Sequence, residues 1–200
     1  MSGQKNSIGR QVKTSGASIA GVVSCVPAKQ VDNSYFIEKF GESAVNDVVK
    51  MIGVQKRRWA DPETTTRDLC RAAGERLLSA LGWSSDSVDA LIFVSQTPDF
   101  RLPASACALQ ADLKLAHTTI AFDVNLGCSG YPYALWLGMT MIQSGAAKRV
   151  LLAVGDTISK IVDPNDRSTA LLFGDAGTMT ALEVSPSQDA FFVMGSDGQG

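Results

Sequence analysis

The 200-residue sequence predicts an α/β fold built around a layered sheet. Strand and helix patterns alternate along most of the chain, and strand patterns alone follow towards its end. Apolar residues make up 45% of the chain and charged residues only 19%, which excludes a mainly disordered protein. About ninety apolar side chains suffice for one sizeable domain or for one half of a larger enzyme core.

The charge balance excludes a global basic surface for nucleic acid. The chain has 18 basic and 20 acidic residues and a formal net charge of −2. Its longest apolar stretches fall short of the roughly 20 residues of a membrane span, and its first residues do not resemble a secretory signal. We therefore expect a cytoplasmic protein that binds neither nucleic acid nor membrane.

The first quarter of the chain predicts one strand and a broken helix. Residues 1–15 are polar and lean basic, so we interpret them as a polar N-terminal tail or the lead-in to a first strand, with the domain itself spanning 16–200. Residues 18–24 are strand-like. Residues 33–51 look helical, with a break near Gly41.

The clearest helix is predicted from about Thr66 to Leu81. Thr65 and Asp68 have the spacing of a capping box, which satisfies backbone N–H groups at a helix start. Apolar residues recur at i, i+4 spacing on one face. Gly82 is suited to end the helix.

The rest of the chain alternates between strands and helices before it turns to strands. Buried strands are expected over residues 89–95, 119–124 and 149–154. Pro103 should open a helix of small residues, packed inside the molecule or at a subunit contact. A second helix should run from Cys128 or Ser129 to about Ser144. Three final strands are expected at 169–173, 178–184 and 190–194.

The cysteines and the lone histidine give no metal-binding pattern. The cysteines lie at positions 25, 70, 107 and 128, and His117 is the single histidine. Without an export signal, we expect these thiols to be reduced. We expect no metal and no cofactor.

The segment from Phe122 to Leu135 has the features of a nucleophile site. A strand ends, Gly127 and Gly130 flank Cys128 in a turn, and a helix with almost no polar face begins there. The N-terminus of a helix stabilises an anion such as a thiolate by about 0.3 to 2 kcal/mol. The glycines let a substrate approach the backbone, and the turn's N–H groups can stabilise a carbonyl oxygen under attack. These features suit acyl transfer onto sulfur, and the alternative is a buried, inert cysteine.

Several motifs occur together in a familiar order and spacing. They are Leu-Pro-Ala-Ser-Ala-Cys at 102–107, the cysteine segment at 125–135, Gln-Ser-Gly at 143–145, Asp-Pro-Asn-Asp-Arg-Ser-Thr at 163–169, Leu-Phe-Gly-Asp-Ala-Gly at 172–177 and Ser-Asp-Gly at 196–198. In these motifs the chain resembles the β-ketoacyl-acyl-carrier-protein synthase III family over roughly residues 16–200.

The resemblance implies a fold and a reaction. The fold would be a thiolase-like, layered α-β-α half with a mixed central sheet and a buried helix that starts at the nucleophile cysteine. Cys128 would take an acyl group from acyl-CoA, which is a substrate and not a cofactor. The acyl group would then be condensed with malonyl on acyl carrier protein, with release of carbon dioxide.

The resemblance also implies roles for individual residues. The backbone N–H of Cys128 would stabilise the oxyanion, and Gly127 and Gly130 would border the substrate. Arg167 matches an arginine beside the CoA entrance. Leu102 matches a position that reaches across a homodimer and closes the partner's acyl pocket.

The sequence departs from the family in two respects. The family's catalytic histidine and asparagine lie well over 100 residues beyond the cysteine, so we expect this chain to be the N-terminal half, without the condensation step on its own. Asp47 and Met51 stand where the housekeeping enzymes have a tryptophan and an arginine that hold CoA. The basic run 56–58 could meet CoA phosphates or an acidic carrier protein, or form a solvated turn.

Three other interpretations stay open from the sequence. The chain could be an acyltransferase of the same fold that does not condense, or a non-catalytic half that supports a partner. A cysteine hydrolase would need a histidine base, and His117 is the single candidate.

Overall fold

The computed structural model describes residues 9–198, which contain seven strands and six α-helices. The strands are β1 (Arg10–Cys25), β2 (Gln30–Asp32), β3 (Lys56–Arg58), β4 (Ala90–Val94), β5 (Ile120–Val124), β6 (Arg149–Asp156) and β7 (Ala176–Met194). The helices are α1 (Ser34–Phe40), α2 (Glu42–Ile52), α3 (Thr66–Leu81), α4 (Ser105–Asp112), α5 (Gly130–Gln143) and α6 (Arg167–Ala170).

Five of the strands form a mixed central sheet in the order β1-β7-β6-β4-β5. Strands β5, β4 and β6 are parallel, whereas β7 runs antiparallel to both β6 and β1. Strands β2 and β3 form a separate antiparallel pair. The predicted α/β fold with a mixed sheet is confirmed.

Helices cover the central sheet on both faces. Leu91 and Phe93 of β4 point towards α3 and α4, while Ile92 and Val94 point towards α5. All five residues of β4 are buried. Since alternate residues of a strand face opposite sides, burial on both faces explains why this strand is apolar throughout, and the predicted α-β-α layering is confirmed.

Helix α3 begins and ends where its sequence predicts. The backbone N–H of Asp68 donates to Oγ1 of Thr65 at 3.2 Å, and the N–H of Thr65 donates to the Asp68 carboxylate at 3.0 Å. Gly82 adopts a φ of 63° and its N–H closes the last turn. The capping box is thus formed in both directions.

The first strand is longer than the sequence predicts. Residues 10–15, expected in the N-terminal tail, form the start of β1 and pair with the end of β7. Ser15 donates to the Asp189 carboxylate at 2.6 Å, and Lys13 pairs with Asp189 at 2.9 Å. These polar contacts help to pair the start of β1, which has few apolar residues, with the end of β7. Residues 1–8 of the expected tail lie outside the described residues.

The last quarter of the chain differs from its predicted strands. Residues 169–173 are not a strand, because Asp166 accepts a hydrogen bond from the Ser168 N–H at 3.0 Å and caps the short helix α6. The two strands expected at 178–184 and 190–194 are one continuous strand, β7. The polar residues between them, which predict a turn, lie opposite an irregularity in β1 where Gly16 has a φ of 86°.

Helix α5 packs against the central sheet and exposes few of its side chains. It begins at Gly130, after the predicted start at Cys128 or Ser129, and it buries Gly130, Ala134, Gly138, Met139 and Ile142. Its other residues are half-buried apart from the exposed Pro132 and Gln143, which fits the expected helix packed into the core. None of the helices between residues 9 and 198 is both long and apolar enough to cross a membrane.

We expect the Thr65→Ala substitution to lower the free energy of unfolding by about 1 kcal/mol, because it removes the side chain that caps α3. Thr64→Ala is the matched control, since no hydrogen bond of the Thr64 side chain is found among the described residues. Urea denaturation measures both. Equal losses in the two variants would contradict this account of the helix start.

Candidate active site

Cys128 lies in a tight turn between β5 and α5. The N–H of Gly130 donates to the carbonyl oxygen of Gly127 at 2.7 Å and closes the turn. Cys128 is exposed and precedes the first residue of the helix by two positions. Its thiol therefore lies at the N-terminal end of α5, where it is accessible to a reagent.

The two glycines bring this turn close to the end of β4. A Cβ atom on Gly130 would lie 2.5 Å from Cγ1 of Val94, and one on Gly127 would lie 3.0 Å from Nε2 of Gln96. Any side chain at Gly130 would therefore push the turn away from the sheet. This packing explains the glycine at 130, whereas the group near Gly127 is the end of the exposed Gln96 side chain. The expected role of both glycines beside a substrate stays a prediction.

The turn presents backbone donors. Among the described residues, no acceptor is found for the N–H groups of Cys128 and Ser129. Donors of this kind can stabilise negative charge that develops on a carbonyl oxygen.

A carboxylate behind the turn joins the ends of β4 and β6. Oδ1 of Asp156 accepts hydrogen bonds from the Ser95 hydroxyl at 2.9 Å and from the Gln96 N–H at 2.7 Å. It also accepts from the N–H and the hydroxyl of Thr97, at 3.0 and 2.9 Å. The sequence analysis missed this group, although an acidic residue at the end of an apolar strand is a visible clue.

Asp123 has a similar function on the other side of β4. Its two carboxylate oxygens accept from the N–H groups of Ser105 and Ala106 at 2.7 and 2.8 Å. The carboxylate thus caps the N-terminus of α4 and ties that helix to the strand that leads to Cys128.

A third carboxylate, Asp175, holds two loops together. It is buried and accepts from the Ala60 N–H at 2.7 Å and from the N–H and hydroxyl of Ser159 at 2.9 and 2.5 Å. The sequence placed Asp175 in a motif without assigning it a contact. Its position fixes the loop that follows β6.

The basic run 56–58 is not a uniformly solvated turn. Arg57 is buried, donates to Asn33 and to the Leu171 carbonyl at 2.7 and 2.8 Å, and stacks on the Phe36 ring. Burial lowers the pKa of its guanidinium, and the charge of Asp32 opposes that shift. Arg57 is therefore a structural residue and is not available to phosphates.

The structure places the other predicted site residues at the surface. Arg167 is exposed at the start of α6, in the region that follows β6. Leu102 is 88% exposed, in the loop between β4 and α4, where Phe100 is also exposed. Their expected roles at a CoA entrance and in a partner's pocket stay predictions.

The remaining cysteines and the histidine differ in environment. Cys70 is buried in α3, and burial raises the pKa of its thiol to about 12. Cys107 is exposed, Cys25 is half-buried, and His117 is exposed in the turn before β5. Between residues 9 and 198, no group of three or more potential ligands could hold a metal ion.

Comparisons with known proteins agree with these observations. Residues 122–198 match the family model of 3-oxoacyl-[acyl-carrier-protein (ACP)] synthase III. A putative 3-oxoacyl-[acyl-carrier-protein] synthase 3 of Campylobacter jejuni is 37% identical over 186 residues, which is 92% of this chain and 52% of that protein. A beta-ketoacyl-[acyl-carrier-protein] synthase III of Thioalkalivibrio sulfidiphilus is 39% identical over 172 residues, or 86% of this chain and 53% of that protein.

A solved structure gives the same result for the fold. The crystal structure of a 3-oxoacyl-(acyl-carrier protein) synthase from Burkholderia xenovorans is 69% identical, with a TM-score of 0.94, over 96% of this chain and 55% of that one. The resemblance to the synthase III family and the thiolase-like fold are therefore confirmed. The chain spans about half the length of these relatives.

We expect iodoacetamide at pH 8 to modify Cys128 and Cys107 in the native protein at least about tenfold faster than Cys70, because the Cys70 thiol is buried and stays protonated. Peptide mass spectrometry after timed quenching measures each site. In urea all four cysteines should react at similar rates. Rapid native labelling of Cys70 would contradict the burial described here.

Proposed function

We propose that the protein is an acyl-thioester enzyme of the 3-oxoacyl-[acyl-carrier-protein] synthase III type, with Cys128 as the nucleophile. The position of Cys128 carries the proposal. The residue is exposed in a glycine turn at the N-terminus of α5, beside backbone N–H groups for which the described part of the chain offers no acceptor.

In the first step the Cys128 thiolate attacks the carbonyl carbon of an acyl-CoA. A new carbon–sulfur bond forms, the electrons of the carbonyl move onto its oxygen, and the N–H of Cys128 stabilises that oxygen. When the carbonyl re-forms, the bond to the CoA sulfur breaks and CoA leaves as a thiolate. That thiolate takes up a proton, which balances the proton released when Cys128 ionised. The acyl group then remains on Cys128 as a thioester.

In the second step the acyl group is condensed with malonyl on acyl carrier protein, and carbon dioxide leaves. This step needs donors for the enolate oxygen. In the family those donors are a histidine and an asparagine that the resemblance places well beyond residue 200. We therefore propose condensation for a protein in which both of these residues complete the site.

Arg167 supports recognition of the acyl donor. Its exposed guanidinium at the start of α6 can meet a phosphate of CoA or an acidic surface of acyl carrier protein. Met51, at a position where CoA is held in housekeeping enzymes, is 80% exposed on α2. The acyl donor is thus proposed to be bound differently from that of the housekeeping enzymes.

We also propose that the protein forms a homodimer through strand β5. Within residues 9–198, strand β5 is an edge of the central sheet with β4 as its one neighbour, so its outer hydrogen-bonding groups can pair with β5 of a second copy. The exposed Leu102 and Phe100 follow the neighbouring strand β4. Across such a dimer, Leu102 would close the acyl pocket of the partner subunit.

We propose that the protein acts in lipid metabolism in the cytoplasm. Four free cysteines fit a reducing cytoplasm. The proposed partners are acyl-CoA, acyl carrier protein and a second copy of the chain, without nucleic acid or membrane, and no cofactor takes part in either step.

We expect the protein to gain the mass of one acyl group when it is mixed with acyl-CoA, since Cys128 forms a thioester. Intact-protein mass spectrometry measures the gain, and hydroxylamine should remove it. Cys128→Ala should abolish the gain, whereas Cys107→Ala, at the other exposed cysteine, should retain it. A wild-type protein that is acylated by no acyl-CoA would overturn the nucleophile role.

We expect Ile120→Lys to weaken the dimer at least about tenfold, because it places a charge on the β5 edge. Ile19→Lys is the matched control: Ile19 is also 46% exposed and lies on β1, the opposite edge of the sheet. Sedimentation velocity over a concentration series measures both. If Ile19→Lys alone dissociates the dimer, the interface is not at β5.

A further inference from the structure

We propose that the carboxamide of Gln96 is a specificity-determining group of the acyl site, and that it selects acyl groups with a hydrogen-bonding substituent over plain alkyl acyl groups of equal length. The inference rests on the proposed acylation of Cys128 and adds the chemical class of the acyl group.

Gln96 lies directly beside the nucleophile turn. Its carboxamide is the nearest group to the space where a side chain on Gly127 would stand, with Nε2 at 3.0 Å and Cδ at 3.2 Å from a Cβ built there. Gly127 immediately precedes Cys128. The carboxamide thus lies beside the residue that precedes the nucleophile, and we propose that an acyl group on Cys128 extends past it.

The backbone holds Gln96 in this position. Its N–H donates to Oδ1 of Asp156 at 2.7 Å, and its two neighbours, Ser95 and Thr97, bond to the same oxygen. These bonds fix the backbone from which the carboxamide extends, so only the side chain of Gln96 has to be ordered when a ligand binds.

The carboxamide is free to bond to a ligand. Gln96 is exposed, and its Nε2 and Oε1 have no hydrogen-bond partner among the described residues. The group offers two N–H donors and one acceptor oxygen, so it can pair with a hydroxyl, a carbonyl or an amide.

Two cavities meet at Gln96. One, of about 450 Å³, is also lined by Ser95, Asp123 and Asn125; the other, of about 380 Å³, is lined by Thr97 and Thr157. Both have the size of small-molecule sites. Gln96 can therefore contact an acyl group that occupies either cavity.

Most other polar groups around these cavities are already bonded. The hydroxyls of Ser95 and Thr97 donate to Asp156, and the Asp123 carboxylate caps α4. Asn125 lines the larger cavity and Arg101 lines both, but the atoms nearest to the space beside Gly127 all belong to Gln96. An alkyl chain packed over Gln96 would leave its donors and acceptor unpaired, which disfavours the chain relative to one that can bond to them.

The test compares acylation of Cys128 by butyryl-CoA with that by 2- and 3-hydroxybutyryl-CoA, which have the same chain length. Mass spectrometry of quenched time points gives each rate for the wild type, Gln96→Leu and Gln96→Ala. The alanine variant keeps the backbone bond to Asp156 and serves if the leucine variant does not fold. Gln143→Leu is the matched control, at an exposed position on the last turn of α5.

We expect the wild type and Gln143→Leu to react faster with at least one hydroxybutyryl-CoA than with butyryl-CoA. Both Gln96 variants should lose about tenfold of that preference, because an apolar side chain replaces the hydrogen bond. An unchanged preference in folded Gln96 variants, or a wild type that prefers butyryl-CoA, overturns this inference and leaves the proposed function intact. A wild type that none of the thioesters acylates overturns both.

Discussion

A single carboxylate oxygen holds the candidate site together. Oδ1 of Asp156 accepts four hydrogen bonds from three consecutive residues after β4, and thereby fixes the end of that strand to the end of β6. Hydrogen bonds to a charged acceptor are stronger than the same number of hydrogen bonds between neutral groups. The turn that carries Cys128 packs on the segment positioned in this way, through Gln96 and Val94.

The parallel part of the sheet explains why these groups meet. Strands β4, β5 and β6 are parallel neighbours, so the loops that follow them emerge at the same edge. Sites in open α/β sheets form at the carboxyl ends of strands for this reason. Asp123, Asp156 and Cys128 lie within or directly after the ends of β5 and β6, and each carboxylate ties a neighbouring segment in place.

The turn at Cys128 and the cavities beside it would have different tasks in the proposed reaction. In the proposed reaction, Cys128 and the backbone donors of the glycine turn would serve any acyl group equally. The groups that distinguish one acyl chain from another would then lie along the cavities beside the turn. Gln96 lines both cavities, and its carboxamide has no partner within residues 9–198, whereas the hydroxyls of Ser95 and Thr97 bond to Asp156.

The sequence by itself determined the α/β class, the capped helix α3, the buried strand β4 and the turn at Cys128. Each depends on a local pattern: capping residues, an apolar run or glycine spacing. The strand expected at 119–124 also forms, as β5, but its residues are exposed or half-buried. Only the tertiary structure decided the pairing of residues 10–15 with β7, the burial of Arg57 and the bonds to Asp156. These features join residues far apart in the chain. Polar residues that predict a loop or a solvated surface can be held inside a fold when distant partners satisfy their hydrogen bonds, and no local pattern records those partners.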